Sequence, residues 1–377
     1  MFRSPRVVLV SLLVVATTAA LSTVASPPHV PWRPVVLAGS GQVVTLTGTP
    51  EGMLVGRYAP DAATRVSLQR VDLETGESRE VPLTMGPGYA RETELVSVSV
   101  LGSDVVAVGG ARGGAHGNVR WSVWRGSPAG LQEEPQTFET FGGWEAGGLV
   151  GSAYASAGPL IMGSWASPSG GVDFAVWQPV GERWLRIADA GPDLRATATR
   201  QPAAFAVTSD ADSYFAVGSV TELGAPPVER PALWHSTSPR GPWRLTELPV
   251  PSAATGQARA VAVSCAASRC VVAGRAGPQL LSWRLTLAGD GPAHADPPVI
   301  VAQDVIENLR LFVARGSRSD WIALADGNHT QLTEARGTRQ RIAVPGVPTA
   351  MATDAEGHPV VATTTADGTT RLWHPEG

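Results

Sequence analysis

Between residues 34 and 373 the apolar positions come in short runs of four to six, broken by Gly, Pro, Ser and Asp, and no stretch carries the period of an amphipathic helix. Five of these runs end on a glycine: MLVG at Gly56, VVAVG at Gly109, LIMG at Gly163, YFAVG at Gly218 and CVVAG at Gly274. Successive glycines are 53, 54, 55 and 56 residues apart. Two copies follow without the glycine, WIALA at Trp321–Ala325 and PVVATT at Pro359–Thr364. A second apolar run closes on tryptophan downstream of most copies, at Trp124, Trp177, Trp234, Trp283 and Trp373. A third precedes the glycine run, at Leu95–Leu101, Leu149–Tyr154, Ala203–Thr208, Ala260–Ser264, Leu309–Ala314 and Thr349–Thr353.

Each unit therefore holds about four short strands in roughly 40–55 residues, the size of one propeller blade. One such sheet cannot cover both of its faces, whereas a ring of them can. The pattern predicts an all-β chain, a β-propeller over residues 34–373 with blade centres near residues 56, 109, 163, 218, 274, 323 and 361. The count reads as seven four-stranded blades, with six or eight as the neighbouring alternatives. The last unit runs out of chain after Trp373, so the run Pro34–Leu37 is expected to supply its missing strand and close the ring. The recurring tryptophans read as packing between blades. The glycines read as places where two backbones approach closely or a strand bulges.

Composition adds a location. All 29 basic residues are Arg, and Gly 42 with Pro 31 supply the many turns such a chain needs. The absence of Lys and the scarcity of Asn suggest a GC-rich bacterial genome. Arg3 and Arg6 precede an uncharged run, Val7–Ala25, whose heart is VVLVSLLVV and whose end is rich in small residues. That order predicts a signal peptide over residues 1–25, hence a secreted protein. The alternative is an uncleaved anchor at residues 7–25 that holds the protein on the outer face of the membrane. Without residues 1–25 the chain has 27 Arg against 33 acidic residues, net −6, and no basic run, so no nucleic-acid partner is expected. Cys265 and Cys270 flank a four-residue connection between two predicted strands, a spacing that predicts a hairpin disulfide in an exported protein.

The turns after the tryptophan runs resemble the Asp-box (BNR-like, sialidase-type) repeats of bacterial secreted propellers, whose hairpin reads Ser-x-Asp-x-Gly-x-x-Trp. Ser236 and Trp243 keep the end-to-end spacing, with Ser238 where Asp belongs and Gly241 one place late. Trp177–Trp184 (WQPVGERW) keeps the closing Trp, and Ser127–Gly130 keeps Ser and Gly but runs on to Leu131. The resemblance implies the propeller fold. It implies a sialidase-like glycoside hydrolase only if an arginine triad, a tyrosine nucleophile and acidic partners accompany it. In place of the family's Arg-Ile-Pro signature the first unit has Arg57-Tyr58-Ala59-Pro60.

Other chemistry is not signalled. The seven histidines (29, 116, 235, 294, 329, 358 and 374) show no i, i+4 pair and no set of acidic neighbours, so no metal site and no cofactor are expected. The expectation is a monomeric, non-enzymatic propeller that binds a protein or glycan at the cell envelope, with a divergent glycoside hydrolase as the alternative. The connections Gly110–Val119, Ser164–Val172 and Ser219–Pro231 are longer than Arg275–Pro278, Asp326–Thr330 and Ala366–Thr369. Length that survives in a loop is a sign of contacts made there. The candidate binding residues are therefore Arg112, His116, Arg120, Trp165, Asp173, Glu222, Glu229 and Arg230, charges mixed with one aromatic expected to be exposed.

Overall fold

Each apolar run becomes a strand of an antiparallel sheet, and seven sheets stand in a ring. The computed structural model describes residues 31–376 apart from 114–117, 253–256, 288, 290, 305–309 and 337–340. The segment 1–25, with its leader or anchor reading, and His116 lie outside the described residues.

The innermost strands are Gln42–Thr49, Glu94–Leu101, Ala146–Ala155, Arg200–Ser209, Ala258–Ala266, Leu311–Arg315 and Val347–Thr353. Each packs on the next, and the last packs on the first, so no sheet face is left uncovered. The chain is a seven-bladed β-propeller, which removes the counts of six and eight. Closure falls where the short last unit predicts it: Trp32–Val36 pairs antiparallel with Thr370–Pro375, Pro34 facing Trp373. The strand begins two residues earlier than the apolar run that announces it. Two blades carry more than four strands. Leu83–Thr84 adds in parallel to the outer strand Gly130–Glu133 of the second blade, and two short outer segments, His294–Ala295 and Val299–Ala302, share one partner strand in the fifth.

The glycine repeat has a steric cause. In five blades the register jumps by one residue on the inner strand beside the glycine, leaving Val44, Val96, Val150, Phe205 and Val261 as bulges. A bulge pushes the inner backbone over its neighbour. A Cβ on Gly218 would lie 1.8 Å from the Ala203 carbonyl oxygen, and one on Gly274 2.0 Å from that of Arg259. The sixth blade has no glycine in its run, and its ladder from Leu311 to Arg315 is regular. In the seventh, which bulges at Thr349 opposite Thr363, the bare Cα is moved to the neighbouring segment: a Cβ on Gly346 would lie 3.0 Å from Thr363 Oγ1.

Trp124, Trp177, Trp234 and Trp283 are all buried. Three of them also tie down the connection leading to their own blade's next neighbour or from their predecessor: Trp177 Nε1 donates to the Thr140 carbonyl (2.8 Å), Trp234 Nε1 to Asp193 (2.9 Å) and Trp283 Nε1 to Pro249 (2.6 Å). Hydroxyls stitch the inner strands sideways. Thr47 donates to the Val98 carbonyl, Ser99 to that of Ser152, and Ser209 to that of Tyr154. Cys265 and Cys270 are disulfide-bonded at facing positions of a hairpin. Its two turn residues, Ala267 and Ser268, both have positive φ (50° and 58°), the turn that suits the right-handed twist of flanking strands. Among the described residues no helix is long and apolar enough to cross a membrane.

Chain direction sorts the loops onto two faces. Turns between second and third strands, and connections from each outer strand to the next inner strand, emerge on one face, called here the upper. Turns between inner and second strands, and between third and outer strands, emerge on the lower. The only helical turns among the described residues, Tyr89–Glu92, Phe138–Phe141 and Pro192–Leu194, belong to upper-face connections.

Candidate functional site

The extra length of the three upper-face turns is partly ladder. The paired strands run on to Arg112 and Val119 in the second blade, to Ala166 and Val172 in the third, and to Glu222 and Val228 in the fourth. The unpaired tip Ser167–Gly171 is no longer than Thr365–Thr369 of the seventh blade. Length alone therefore does not single out these turns. The third and fourth blades have taller hairpins, and their five-residue tips exceed the two-residue tips of the fifth and sixth blades but match that of the seventh.

The candidate residues separate on burial. Arg112 is exposed at a strand end. Glu222 and Arg230 form an exposed pair at 3.6 Å. Asp173 accepts from the Ala196 backbone at 2.7 Å and so holds the following connection. Glu229 accepts from the Ser219 hydroxyl at 2.7 Å and meets Arg259 of the next blade at 3.5 Å, a structural link between blades. Trp165, expected to be exposed, is half-buried. Its ring packs edge-on against Trp177 and lies under the Arg186 guanidinium at 4.7 Å, because the hairpin extension folds back on the blade. Arg120 is the exception, and its surroundings form a site.

The exposed aromatic is instead Trp144, 104% exposed on the connection into the third blade. The segment presenting it is pinned at both ends. On one side Phe141 is buried edge-on against Trp177. On the other, Glu145 accepts from Trp165 Nε1 at 2.9 Å and its carbonyl accepts from the Ala166 backbone at 2.7 Å. Large apolar residues also stand exposed at Tyr89, Phe138, Val172, Leu223 and Val228. All six emerge on the upper face of blades two to four. The signal available in the sequence was a lone Trp after Gly142-Gly143, outside every strand pattern.

Arg120 reaches from the third strand of blade two into a pocket of about 210 Å3 on this face. Its guanidinium stacks on Phe138 at 4.0 Å and lies 6.0 Å from the Tyr89 ring. Both rings are backed by bare Cα atoms. A Cβ on Gly113 would lie 2.3 Å from the Tyr89 ring, and one on Gly142 2.3 Å from that of Phe138.

The ring centre is a channel of about 690 Å3 lined by the inner strands. The bulged residues line it, with Val96 42% and Phe205 41% exposed, and below them come Ser97, Ser99, Ser152 and Ser209. Among the described residues no set of arginines converges there. Arg57, which stands in the position of the family's signature arginine, is 2% exposed. It donates to the carbonyls of Ala38 (2.6 Å), Gly39 (3.1 Å) and Gly41 (3.0 Å), pinning the segment that leads from the closing strand into the first blade. Burial lowers its pKa, as expected for a charge taken out of water. The tyrosines are no better placed as nucleophiles. Tyr214 is buried, donates to the Gly158 carbonyl, and has its pKa raised by that burial. Tyr154 donates to Asp104 at 3.3 Å, with its pKa raised by burial and by that carboxylate.

One sequence expectation fails on the lower face. His358 does have acidic neighbours: Asp354, Glu356 and His358 bring their ligand atoms within 4.8 Å of one another in a single turn. The spacing went unread because i, i+2 and i+4 converge only when the chain turns back on itself. Asp354 is already engaged there, accepting from the His358 backbone at 2.7 Å and facing its Nδ1 at 3.2 Å. The turn borders a groove of about 650 Å3 at the seam of blades seven and one, with Arg33 and His374 beside it.

No family model and no curated protein match this chain. Solved structures share its fold. The Cps50 (Swd1) β-propeller domain of Myceliophteria thermophila is 12% identical with a TM-score of 0.55, over 92% of this chain and 100% of that one. Hydrazine synthase of Kuenenia stuttgartiensis is 10% identical with a TM-score of 0.51, over 89% and 96%. A Trypanosoma rangeli sialidase is 8% identical with a TM-score of 0.40, over 89% and 55%, too distant to carry any argument. At such identities the likeness is one of fold, which these proteins put to different uses. The Asp-box resemblance accordingly rests on its turn residues alone. In the turn that best matches, Ser236 Oγ donates to the Ser238 carbonyl at 2.8 Å and Trp243 is buried.

Proposed function

We propose that this chain is an exported, non-enzymatic binding propeller whose working surface is the upper face of blades two to four, where it holds a protein or glycan partner at the cell envelope. The observation that carries the reading is Trp144. A fully exposed indole on a segment pinned by Trp165 and Trp177 is a rigid anchor, and large aromatics with little rotamer entropy to lose dominate binding interfaces. The disulfide supports an oxidising compartment. The glycoside-hydrolase alternative gains nothing comparable, since Arg57 is spent on three backbone carbonyls and Tyr154 and Tyr214 are pushed away from the phenolate.

The test is co-sedimentation of the purified chain with envelope fractions of its host, comparing the wild type with Trp144→Ala and with Leu185→Ser, an exposed site on an outer strand. Loss of association in the first alone supports this face. Equal association of wild type and Trp144→Ala places the working surface elsewhere.

A further inference from the structure

On the upper face Arg120 has a buried donor left unanswered. Among the described residues Arg120 makes no hydrogen bond and no ion pair; its recorded contacts are the two aromatic rings, and its Nε is buried without an acceptor. A buried N–H left without an acceptor is costly, so the arrangement has to be explained. Arginine–aromatic stacking fixes the plane of the fork while leaving its edge open for hydrogen bonds. The glycines behind the rings, Gly113 and Gly142, leave the stack no room to relax backwards.

The acids of the same pocket do not answer it. Glu133 accepts from the Gly86 backbone at 2.6 Å. Glu134 accepts from Trp184 Nε1 at 2.8 Å and is paired with Arg125. Each thus has its own partner, and the guanidinium is left over. A cavity of about 210 Å3 admits a carboxylate on a short stem rather than a folded ligand. Beside it stands Trp144 on the same chain segment as Phe138, an exposed ring of the kind that packs on a partner's main chain or apolar side chains.

We propose that Arg120 is a specificity-determining residue that receives the carboxylate of an acidic side chain of a partner polypeptide, by a bidentate charge-assisted pair in this pocket. The inference deepens the proposed function and rests on its reading of the upper face as the working surface. Phe138 and Tyr89 are positioning residues that hold the fork in plane. The choice of a polypeptide over an acidic glycan follows from the size of the pocket and the single indole beside it; a uronate would have to bring a whole sugar ring in with its carboxylate.

The test is a titration of the 15N-labelled full-length chain at low salt, following the Arg120 Nε–H resonance in the wild type and the backbone amides of Trp121 and Phe138 in every protein. The probes are an N-acetylated, C-amidated hexapeptide containing two Glu, the same peptide with Gln for Glu, and an oligogalacturonate. The expected result is a saturable shift with the Glu peptide only, weakened about tenfold or more in Arg120→Gln, which corresponds to one charge-assisted pair. Arg183→Gln, at an exposed position of an outer strand, should bind as the wild type does. No shift with the Glu peptide overturns the inference, as does an equal shift with the Gln peptide. A response to oligogalacturonate alone overturns the polypeptide source. The wild-type titration stands even if Arg120→Gln misfolds. If Trp144→Ala abolishes envelope association and Arg120→Gln leaves it intact, the face survives as the working surface and the carboxylate site does not.

Discussion

Arg33 donates its Nε–H to Nε2 of His374 at 2.8 Å across the closing seam, although 341 residues separate them in sequence. They are register partners in the only sheet built from both ends of the described chain. Arg33 Nη2 also reaches the Leu73 carbonyl at 3.2 Å, so the same side chain joins the seventh blade to the first. His374 can accept this bond only as the neutral ring, with its proton on Nδ1.

That pair makes ring closure sensitive to acid. Burial, then the charge of Arg33, lowers the pKa of His374, partly opposed by the Pro375 and Leu73 backbone and by Asp354. A histidine whose folded pKa lies below its unfolded value, about 6.5, stabilises the fold fully above that pH. The contribution is lost as pH falls through the unfolded value toward the folded one. Melting temperature should therefore drop between pH 8 and pH 5, and His374→Gln should flatten that part of the profile. Parallel profiles for the two proteins would remove His374 from the account.

The glycine–bulge pairing predicts a sharp positional contrast. Gly218→Ala should destabilise the chain by about 3 kcal/mol, since its Cβ meets backbone rather than a yielding side chain. Gly148→Ala meets nothing within 4 Å and should be near neutral. Denaturant melts of the two variants decide it; similar midpoints would mean that the bulge yields freely.

Arg57 is expected to matter for stability rather than for any substrate. Arg57→Met leaves three carbonyls without their donor and should cost roughly 2 kcal/mol. Lys, with no planar fork, should rescue little of it. A variant with wild-type melting would reopen the channel-side role for this arginine.

The disulfide closes a short loop, so the chain-entropy estimate for it is modest, on the order of 2 kcal/mol. Intact-mass analysis without reductant should show no alkylatable thiol, and Cys265→Ala with Cys270→Ala should melt a few degrees lower. Two free thiols in the purified chain would contradict the bond.

Much of this molecule was legible in its residues because the signals were local. A strand that must accept a bulging neighbour needs a glycine, and a core shared by two blades needs a large flat side chain. Both demands recur in most blades, so Gly56 to Gly274 and Trp124 to Trp283 announce the repeat. The short last unit likewise announced a closing strand, expected at Pro34–Leu37 and found at Trp32–Val36. The tertiary structure alone decided what each polar residue does. Glu229, Asp173 and Trp165 resembled surface residues until blade packing turned them into supports. Trp144 stood outside every strand pattern, and only the pinning of its segment set the ring outward. Burial of a side chain depends on where the ring brings distant segments together, and in a propeller those segments lie some 50 residues apart; no window of sequence contains both.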